Sequence, residues 1–117
     1  MPKAIERDIC IEQGATFDET FTWLNPDKSP VDLTGASGRM QIRQTIEDDP
    51  PLLELTDGNG RIILGGTAGT IQLLVSATDT AAITWVGGVY DLEIELASGY
   101  VRRLFKGQVT VDNEVTR

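Results

Sequence analysis

Histidine is absent from this sequence of 117 residues, and cysteine occurs once. Without histidine the chain lacks the commonest general base and a usual zinc ligand, and it cannot form a Ser-His-Asp or Cys-His nucleophile arrangement. The single cysteine, Cys10, can form neither an internal disulfide nor a Cys-x-x-Cys redox pair. Most hydrolase chemistry is therefore excluded, and we predict that the protein is not an enzyme.

Positive charge is also scarce, since 10 Lys and Arg residues stand against 18 Asp and Glu residues, for a net charge of −8. A surface this acidic repels phosphate backbones and anionic lipid headgroups. No apolar run approaches the roughly 18 residues that span a bilayer, and the N-terminal segment has no hydrophobic signal core. We expect no nucleic acid and no membrane as partners, and a protein that stays where it is made unless it is carried out inside something larger.

The segments between turn signals alternate between apolar and polar residues. Phe17, Phe21 and Trp23 share one face of such a segment, and the run from Ile5 to Ile11 is a second example. The turn signals recur about every eight to twelve residues, which is typical of a sandwich or barrel. We predict an all-β fold over residues 1–117, a single antiparallel β-sandwich of the immunoglobulin-like or Greek-key type, with about seven to nine short strands.

Two segments interrupt the strand pattern. Ser76 followed by Asp79 is typical of a helix N-terminus, and it predicts one short helical turn near residues 77–82. The acidic, proline-rich stretch Glu47–Pro51 is incompatible with a central strand, because proline cannot donate a hydrogen bond to a neighbouring strand. We expect it to be an exposed loop.

The clearest predicted hairpin is the last one, with Ser98-Gly99 as a two-residue turn. This register places Gly107 on the buried face under Tyr90, and we expect replacement of the glycine to overpack that contact. It also pairs Ile94 with Arg103 and so places Arg103 on the buried side. This conflict is avoided if Arg103 lies near the sheet edge, extends its charge to solvent, or is displaced by a bulge at Leu104. The pairs in this register are Tyr90–Gly107, Asp91–Lys106, Leu92–Phe105, Ile94–Arg103 and Glu95–Arg102.

Motifs with possible metal or phosphate chemistry are incomplete. Asp57-Gly58-Asn59-Gly60 begins like a calcium loop, but Arg61 stands at the third ligand position and no glutamate closes the loop. Gly65–Gly69 lacks the Gly-Lys-Ser/Thr ending and the following helix of a phosphate-binding loop. We interpret both stretches as turns or hairpin connections, and we predict no metal site and no cofactor.

Paired carboxylates and tryptophans are the remaining candidates. Glu93 and Glu95 share one strand face roughly 6 to 7 Å apart, since a strand rises about 3.3 Å per residue, which overlaps the spacing of glycosidase carboxylates. A solvated strand face is the favoured interpretation. Trp23 and Trp85 can stack on a sugar, although aromatic residues of half-buried strands usually belong to the core. The predicted interaction surface consists of Asp48, Asp49, Trp85, Glu93 and Glu95.

A set of turn and core residues resembles tailed-phage structural proteins. The chain is similar to the N-terminal β-sandwich of phage baseplate upper proteins and to small phage and prophage proteins, best over residues 12–43. The resemblance implies a tail- or baseplate-associated virion protein that binds other phage structural proteins in a homo-oligomer or symmetric assembly, located in the virion and, during assembly, in the host cytoplasm. The residues concerned are Gln13–Phe17, Phe21–Trp23, Asp27–Gly35, Met40–Arg43, Gly88–Glu93, Arg103-Leu104 and Gly107–Val111.

Two other functions remain open from the sequence. The first is a carbohydrate- or receptor-binding β-sandwich module that uses an exposed Trp85 or Trp23. The second is a metal-dependent hydrolase that uses Asp48, Asp49 and Asp57, which the missing ligands disfavour. Solvent exposure of either tryptophan favours the binding module over assembly.

Overall fold

Two β-sheets enclose one core in the computed structural model, which describes residues 4–115. The nine strands of these residues are β1 (Ile5–Glu6), β2 (Ile9–Glu12), β3 (Phe17–Thr22), β4 (Ser37–Arg43), β5 (Leu53–Thr56), β6 (Ile62–Leu64), β7 (Thr70–Val75), β8 (Gly87–Glu95) and β9 (Val101–Asp112). The first sheet has the order β1-β9-β8-β4-β5, with β2 also paired to β9, and the second has the order β3-β7-β6. The predicted all-β sandwich is confirmed.

The core lies between the two sheets because the inward-facing side chains of both sheets are apolar. Alternate residues of each strand point inward, as in β4, where Met40 and Ile42 are buried while Arg39 is exposed. Each fully buried aliphatic side chain contributes about 1.5–3 kcal/mol relative to an exposed one. The side chains with the least exposure are Ile11, Leu33, Met40, Ile42, Leu55, Ile62, Ile71, Leu73, Val75, Leu92, Ile94 and Val109.

One α-helix forms where the sequence predicts it. Helix α1 (Ala77–Ala81) begins after Ser76, whose side chain accepts a hydrogen bond from the Asp79 backbone N–H. Thr80 is fully buried, and its hydroxyl forms hydrogen bonds to the backbone of the turn between β2 and β3. A 3₁₀ turn at Gly66–Ala68 is an addition, since the sequence predicted only a hairpin connection there.

The predicted first strand is divided in two. It breaks at Arg7-Asp8 into β1 and β2, and both parts pair with β9 in parallel rather than antiparallel orientation. Ile5 is exposed, whereas Ile9 and Ile11 are buried. The first sheet is therefore mixed, and the expectation that Ile5, Ile9 and Ile11 share one continuous strand face is wrong.

Contacts around Arg7 explain the break. The Tyr90 hydroxyl donates a hydrogen bond of 2.5 Å to the Arg7 carbonyl oxygen. Gly107 lies against the same carbonyl, and a Cβ atom at Gly107 would be 2.5 Å from that oxygen. The Gln108 N–H donates to the Asp8 carboxylate instead of to a strand backbone. The chain at Arg7-Asp8 is therefore held against β8 and β9 by these side-chain hydrogen bonds, by the backbone hydrogen bond from the Arg7 N–H to the Lys106 carbonyl at 2.8 Å, and by the space that glycine leaves.

The final hairpin has a longer loop than the sequence suggested. The Leu96 N–H donates to the Tyr100 carbonyl, which leaves three loop residues, Ala97–Gly99, instead of a two-residue turn. Gly99 has φ of 91°, a left-handed conformation that favours glycine. Three-residue hairpin loops commonly place a left-handed residue at this position.

A bulge changes the register of β8 and β9 between the turn and the middle of the hairpin. Leu92 pairs with Phe105 as predicted, but the register shifts at the next residue, and Leu104 is the extra residue. Ile94 consequently pairs with Arg102, and the predicted Ile94–Arg103 and Glu95–Arg102 pairs are wrong. An arginine does occupy the buried side of the hairpin, and it is Arg102.

We expect Gly107→Ala to lower the free energy of unfolding by about 1–3 kcal/mol through overpacking. The added Cβ clashes with the Arg7 backbone rather than with Tyr90, which corrects the reason given by the sequence. Gly58→Ala is the matched control, because a Cβ there meets no atom closer than 3.7 Å. Urea denaturation measures the free energy of unfolding of both variants. If a second substitution, Tyr90→Ala, restored the stability lost in Gly107→Ala, the clash would be with the Tyr90 side chain, as the sequence suggested.

We expect Tyr90 to make stability fall at high pH. Burial raises the pKa of Tyr90 from 10.0 to about 12. Because the pKa of Tyr90 is higher in the folded state, its contribution to the free energy of unfolding is fully present below pH 10 and is lost as the pH rises toward about 12. Urea denaturation between pH 9 and pH 12 should show a steeper loss for the wild type than for Tyr90→Phe, and equal slopes would contradict the prediction.

Candidate functional site

The five residues predicted to form an interaction surface lie in three separate places. Glu93 and Glu95 are on the outer face of β8, and Asp48 and Asp49 are in the loop between β4 and β5. Trp85 lies between α1 and β8, where it is half-buried and packs against the core. The structure therefore does not gather these side chains into one site.

Ion pairs occupy the outer face of the first sheet. Arg39 donates to Glu93 at 3.0 Å, and Arg43 lies 3.4 Å from the Asp49 carboxylate. The loop at Glu47–Pro51 is exposed apart from its last proline, in agreement with the sequence prediction. These contacts favour the interpretation of Glu93 as part of a solvated strand face rather than as a member of a carboxylate dyad.

The aspartate-glycine turn after β5 uses its oxygen atoms internally. The Asn59 side-chain oxygen accepts from the backbone N–H groups of Thr56 and Arg61, and the Asp57 carboxylate accepts from the Gly38 N–H. Within residues 4–115 no group of three cysteine, aspartate or glutamate residues is placed to hold a metal ion. The oxygens of Asp57 and Asn59 thus stabilise the turn.

A cleft opens between the two sheets at the edge formed by β3 and β9. Its volume is about 700 Å³. The chain contains three Phe, two Trp and two Tyr residues, and four of these line the cleft. We call it the aromatic groove, defined by Phe21, Trp23, Leu24, Tyr100, Arg102 and Phe105.

One side of the aromatic groove is formed by a contact between the sheets. The rings of Phe21 in β3 and Phe105 in β9 have centroids 4.8 Å apart and are inclined by 42°. The Arg7 guanidinium carbon lies 4.8 Å from the Phe21 centroid, and Arg7 also pairs with Glu19 at 3.3 Å. These contacts join the N-terminal strand of the first sheet to the edge strand of the second.

The backbone of Trp23 is fixed by its neighbours. Its N–H donates to the Gly69 carbonyl at 2.8 Å, and its carbonyl accepts from the Val31 N–H at 2.9 Å. Gly69 has φ of 69°, and a Cβ there would be 2.9 Å from the Trp23 oxygen. Leu24 and Tyr100 are each 47% exposed, so both offer apolar surface to a ligand. The groove is preorganised on its β3 side.

Arg102 is unusual among the arginines of the described residues. The others, Arg7, Arg39, Arg43, Arg61 and Arg103, each form an ion pair. Arg102 forms none within residues 4–115, and its Nε atom is buried without a hydrogen-bond partner there. Buried polar atoms are normally hydrogen-bonded, and an unpaired donor reduces stability. Among the described arginines Arg102 is therefore the candidate for contact with a ligand.

Both borders of the aromatic groove are strand edges that have no strand partner among the described residues. On its outer edge β9 pairs with β1 at Phe105 and Lys106 and with β2 from Val109 onward, so Val101–Leu104 have no strand partner there within residues 4–115. In the same part of the chain β3 pairs with β7 alone. Free backbone donors and acceptors at such edges accept an additional strand.

Sequence reasoning identified only part of the groove. It considered Trp23 as a ligand-stacking residue, but it assigned Phe105 to the core and gave Tyr100 and Leu24 no function. The available signal was the conflict in the hairpin register, because the alternation of β9 required an arginine on the buried face. That conflict pointed to the position at which Arg102 enters the groove.

Neither a family model nor a curated protein matches the chain. Solved structures with a similar fold include the extracellular domains of the voltage-gated sodium channel beta4 subunit, whose parallel homodimers explain its role in cell–cell adhesion, with 12% identity, 98% of each chain covered and a TM-score of 0.49. Tim-1 shares 13% identity over 100% of this chain and 99% of its own, with a TM-score of 0.48. A chain from the complex of ICOS with ICOS-L and a VNAR domain shares 13% identity over 95% of this chain and 56% of its own, with a TM-score of 0.49. These likenesses concern the fold alone.

The prediction of a phage tail or baseplate protein is wrong, since the structures similar in fold include the domains just named, which are not phage tail proteins. The physical reason lies in the residues that suggested it. Phe17, Val31, Leu33, Met40 and Ile42 are buried core residues that a β-sandwich of any function requires.

No helix within residues 4–115 is long and apolar enough to cross a membrane.

We expect Glu93→Gln to change the free energy of unfolding by less than about 1 kcal/mol, because exposed ion pairs contribute little. Its partner Arg39 is 66% exposed in its side chain. Thermal unfolding of Glu93→Gln, Arg39→Gln and the double variant measures the coupling. A coupling of several kcal/mol would contradict the interpretation as a solvated strand face.

Proposed function

We propose that the protein is a non-enzymatic binding module that holds an extended segment of a partner protein in the aromatic groove. The observation that carries the proposal is the combination of an aromatic-lined cleft with strand edges on both of its borders that have no partner among the described residues 4–115. Interfaces of this kind obtain affinity from main-chain hydrogen bonds and specificity from pockets for alternate side chains. The function therefore lies in recognition of another protein.

The composition of the groove favours a protein segment over a sugar. Besides Arg102, its polar side chains are few, and the Asn25 amide already donates to Ser29 and to the Pro30 carbonyl. Sugar hydroxyls need several free hydrogen-bonding groups beside a stacking ring, whereas apolar side chains of a protein need contact area. Trp23 is half-buried, so it offers only part of its surface for stacking. Carbohydrate binding through Trp23 is the second candidate function.

The charge of the chain influences which contacts form at the open edges. A net charge of −8 opposes close approach of two copies in random orientations. It thereby reduces nonspecific pairing of strand edges while it leaves a complementary partner free to bind. A second copy can bind through the same edges if its orientation brings opposite charges together, and this homo-oligomeric form is part of the proposal.

The test is selection of a displayed library of random nonapeptides on the immobilised wild-type protein, with calorimetry on the enriched peptides. We expect Tyr100→Ser to weaken their binding by roughly tenfold or more, since an aromatic contact at an interface centre is worth about 2 kcal/mol. Ile46→Ser is the matched control, because Ile46 is 81% exposed and lies outside the groove.

Two outcomes would overturn the proposal. The first is equal peptide binding by Tyr100→Ser and the wild type. The second is a failure of peptide selection together with specific binding on a glycan array, which would establish the carbohydrate candidate. Sedimentation over a concentration series distinguishes a second copy from a different partner, because only self-association changes with the concentration of the protein alone.

A further inference from the structure

Arg102 lines the aromatic groove and forms no ion pair within residues 4–115. We infer that Arg102 binds a carboxylate of the ligand, and that the ligand is an extended protein segment in which an acidic residue lies two positions from an apolar one. This inference rests on the proposed function and adds the chemistry of the partner.

The bulge in β9 determines where Arg102 points. Arg102 pairs with Ile94, which is completely buried, so the arginine is on the inner face of its strand. Arg103 is on the outer face and forms an ion pair with Asp91. The Arg102 side chain therefore extends from the core side into the aromatic groove, where rings and aliphatic side chains partly exclude water.

The guanidinium of Arg102 suits a carboxylate. It presents N–H donors in a planar fork that matches two carboxylate oxygens. Arg102 lines the groove and forms no ion pair within residues 4–115, so the accessible end of its guanidinium can bind a ligand carboxylate without displacing an existing one. Partial burial strengthens the attraction, since the effective dielectric constant in such a cleft is lower than in water.

The surrounding charges select a single carboxylate rather than a polyanion. Arg102 is the one cationic residue that lines the groove among the described residues, whereas phosphate recognition generally uses several cationic or backbone donors. The net charge of −8 repels ligands that carry many negative charges. One acidic residue between neutral or basic neighbours is therefore the complementary charge pattern.

The edge of β9 fixes the spacing within the ligand. Val101–Leu104, beside the Arg102 side chain, have no strand partner on this edge within residues 4–115. A ligand strand that pairs with this edge directs every second side chain toward the same face. When an acidic side chain reaches Arg102, the residue two positions away therefore lies over the apolar part of the groove, near Tyr100 or Phe105. This geometry predicts the spacing apolar-x-acidic or acidic-x-apolar.

The test uses two synthetic peptides, acetyl-KTFTETFTK-amide and its counterpart with glutamine in place of glutamate, titrated into labelled protein and followed by NMR. We expect the glutamate peptide to bind wild-type protein about tenfold more tightly, as for a hydrogen-bonded charge pair of roughly 1.5 kcal/mol. The difference should disappear in Arg102→Gln and persist in Arg103→Gln, the matched control. Arg102→Lys should retain a smaller difference, because lysine keeps the charge and loses the planar fork.

A second measurement separates binding from a structural role. If Arg102 serves the ligand, its replacement by methionine removes an unpaired donor, and the Tm of the free protein should stay the same or rise. A large fall in Tm for Arg102→Met would show that the arginine stabilises the fold and would overturn the inference.

Each remaining outcome has one meaning. Equal binding of both peptides by the wild type, weakened by Tyr100→Ser, overturns the carboxylate preference and leaves the proposed function intact. Absence of binding by both peptides also overturns the inference, while the library selection decides the proposed function separately. Binding of sialyllactose that depends on Arg102, without peptide binding, overturns it in favour of an acidic sugar.

Discussion

The hydrogen bond from the Tyr90 hydroxyl to the Arg7 carbonyl oxygen fixes the N-terminal chain to the first sheet, beside the edge at which the two sheets meet. Together with the space at Gly107, it holds the N-terminal chain on β9 of the first sheet. A strand that pairs with β9 cannot also cover β3, so the edge of the second sheet stays open within residues 4–115. The aromatic groove exists because the N-terminal strand belongs to one sheet alone.

Local signals in the sequence predicted most of the fold. Period-two alternation located the strands, and Ser76 with Asp79 located the helix, because both depend on neighbours along the chain. The break at Arg7 and the extra residue at Leu104 were less accessible, since each depends on a partner strand that is distant in sequence or on the length of a loop. The resemblance to phage proteins used residues of the core, which report on architecture and carry little information on function.

The candidate site was harder to predict for a different reason. Charged residues such as Asp49 and Glu93 attract attention in a sequence, yet in the structure they form ion pairs on a solvated face. The groove instead consists of aromatic residues that look like core, and only the arrangement of strands shows that Tyr100 remains uncovered. Alternation did indicate one unusual feature, an arginine directed inward. Whether this residue is Arg102 or Arg103 depended on the bulge.

The three-residue loop at Ala97–Gly99 has a consequence for how this surface can diverge. The extra residue of the hairpin can reside in the strand, as it does at Leu104, or it can be taken up by the loop. Relocating it to the loop would turn Arg103 inward and Arg102 outward, since a one-residue slip exchanges the two faces of a strand. A change of loop geometry near Gly99 would therefore alter ligand preference while every groove side chain kept its identity, so that related chains can differ in specificity through strand register alone.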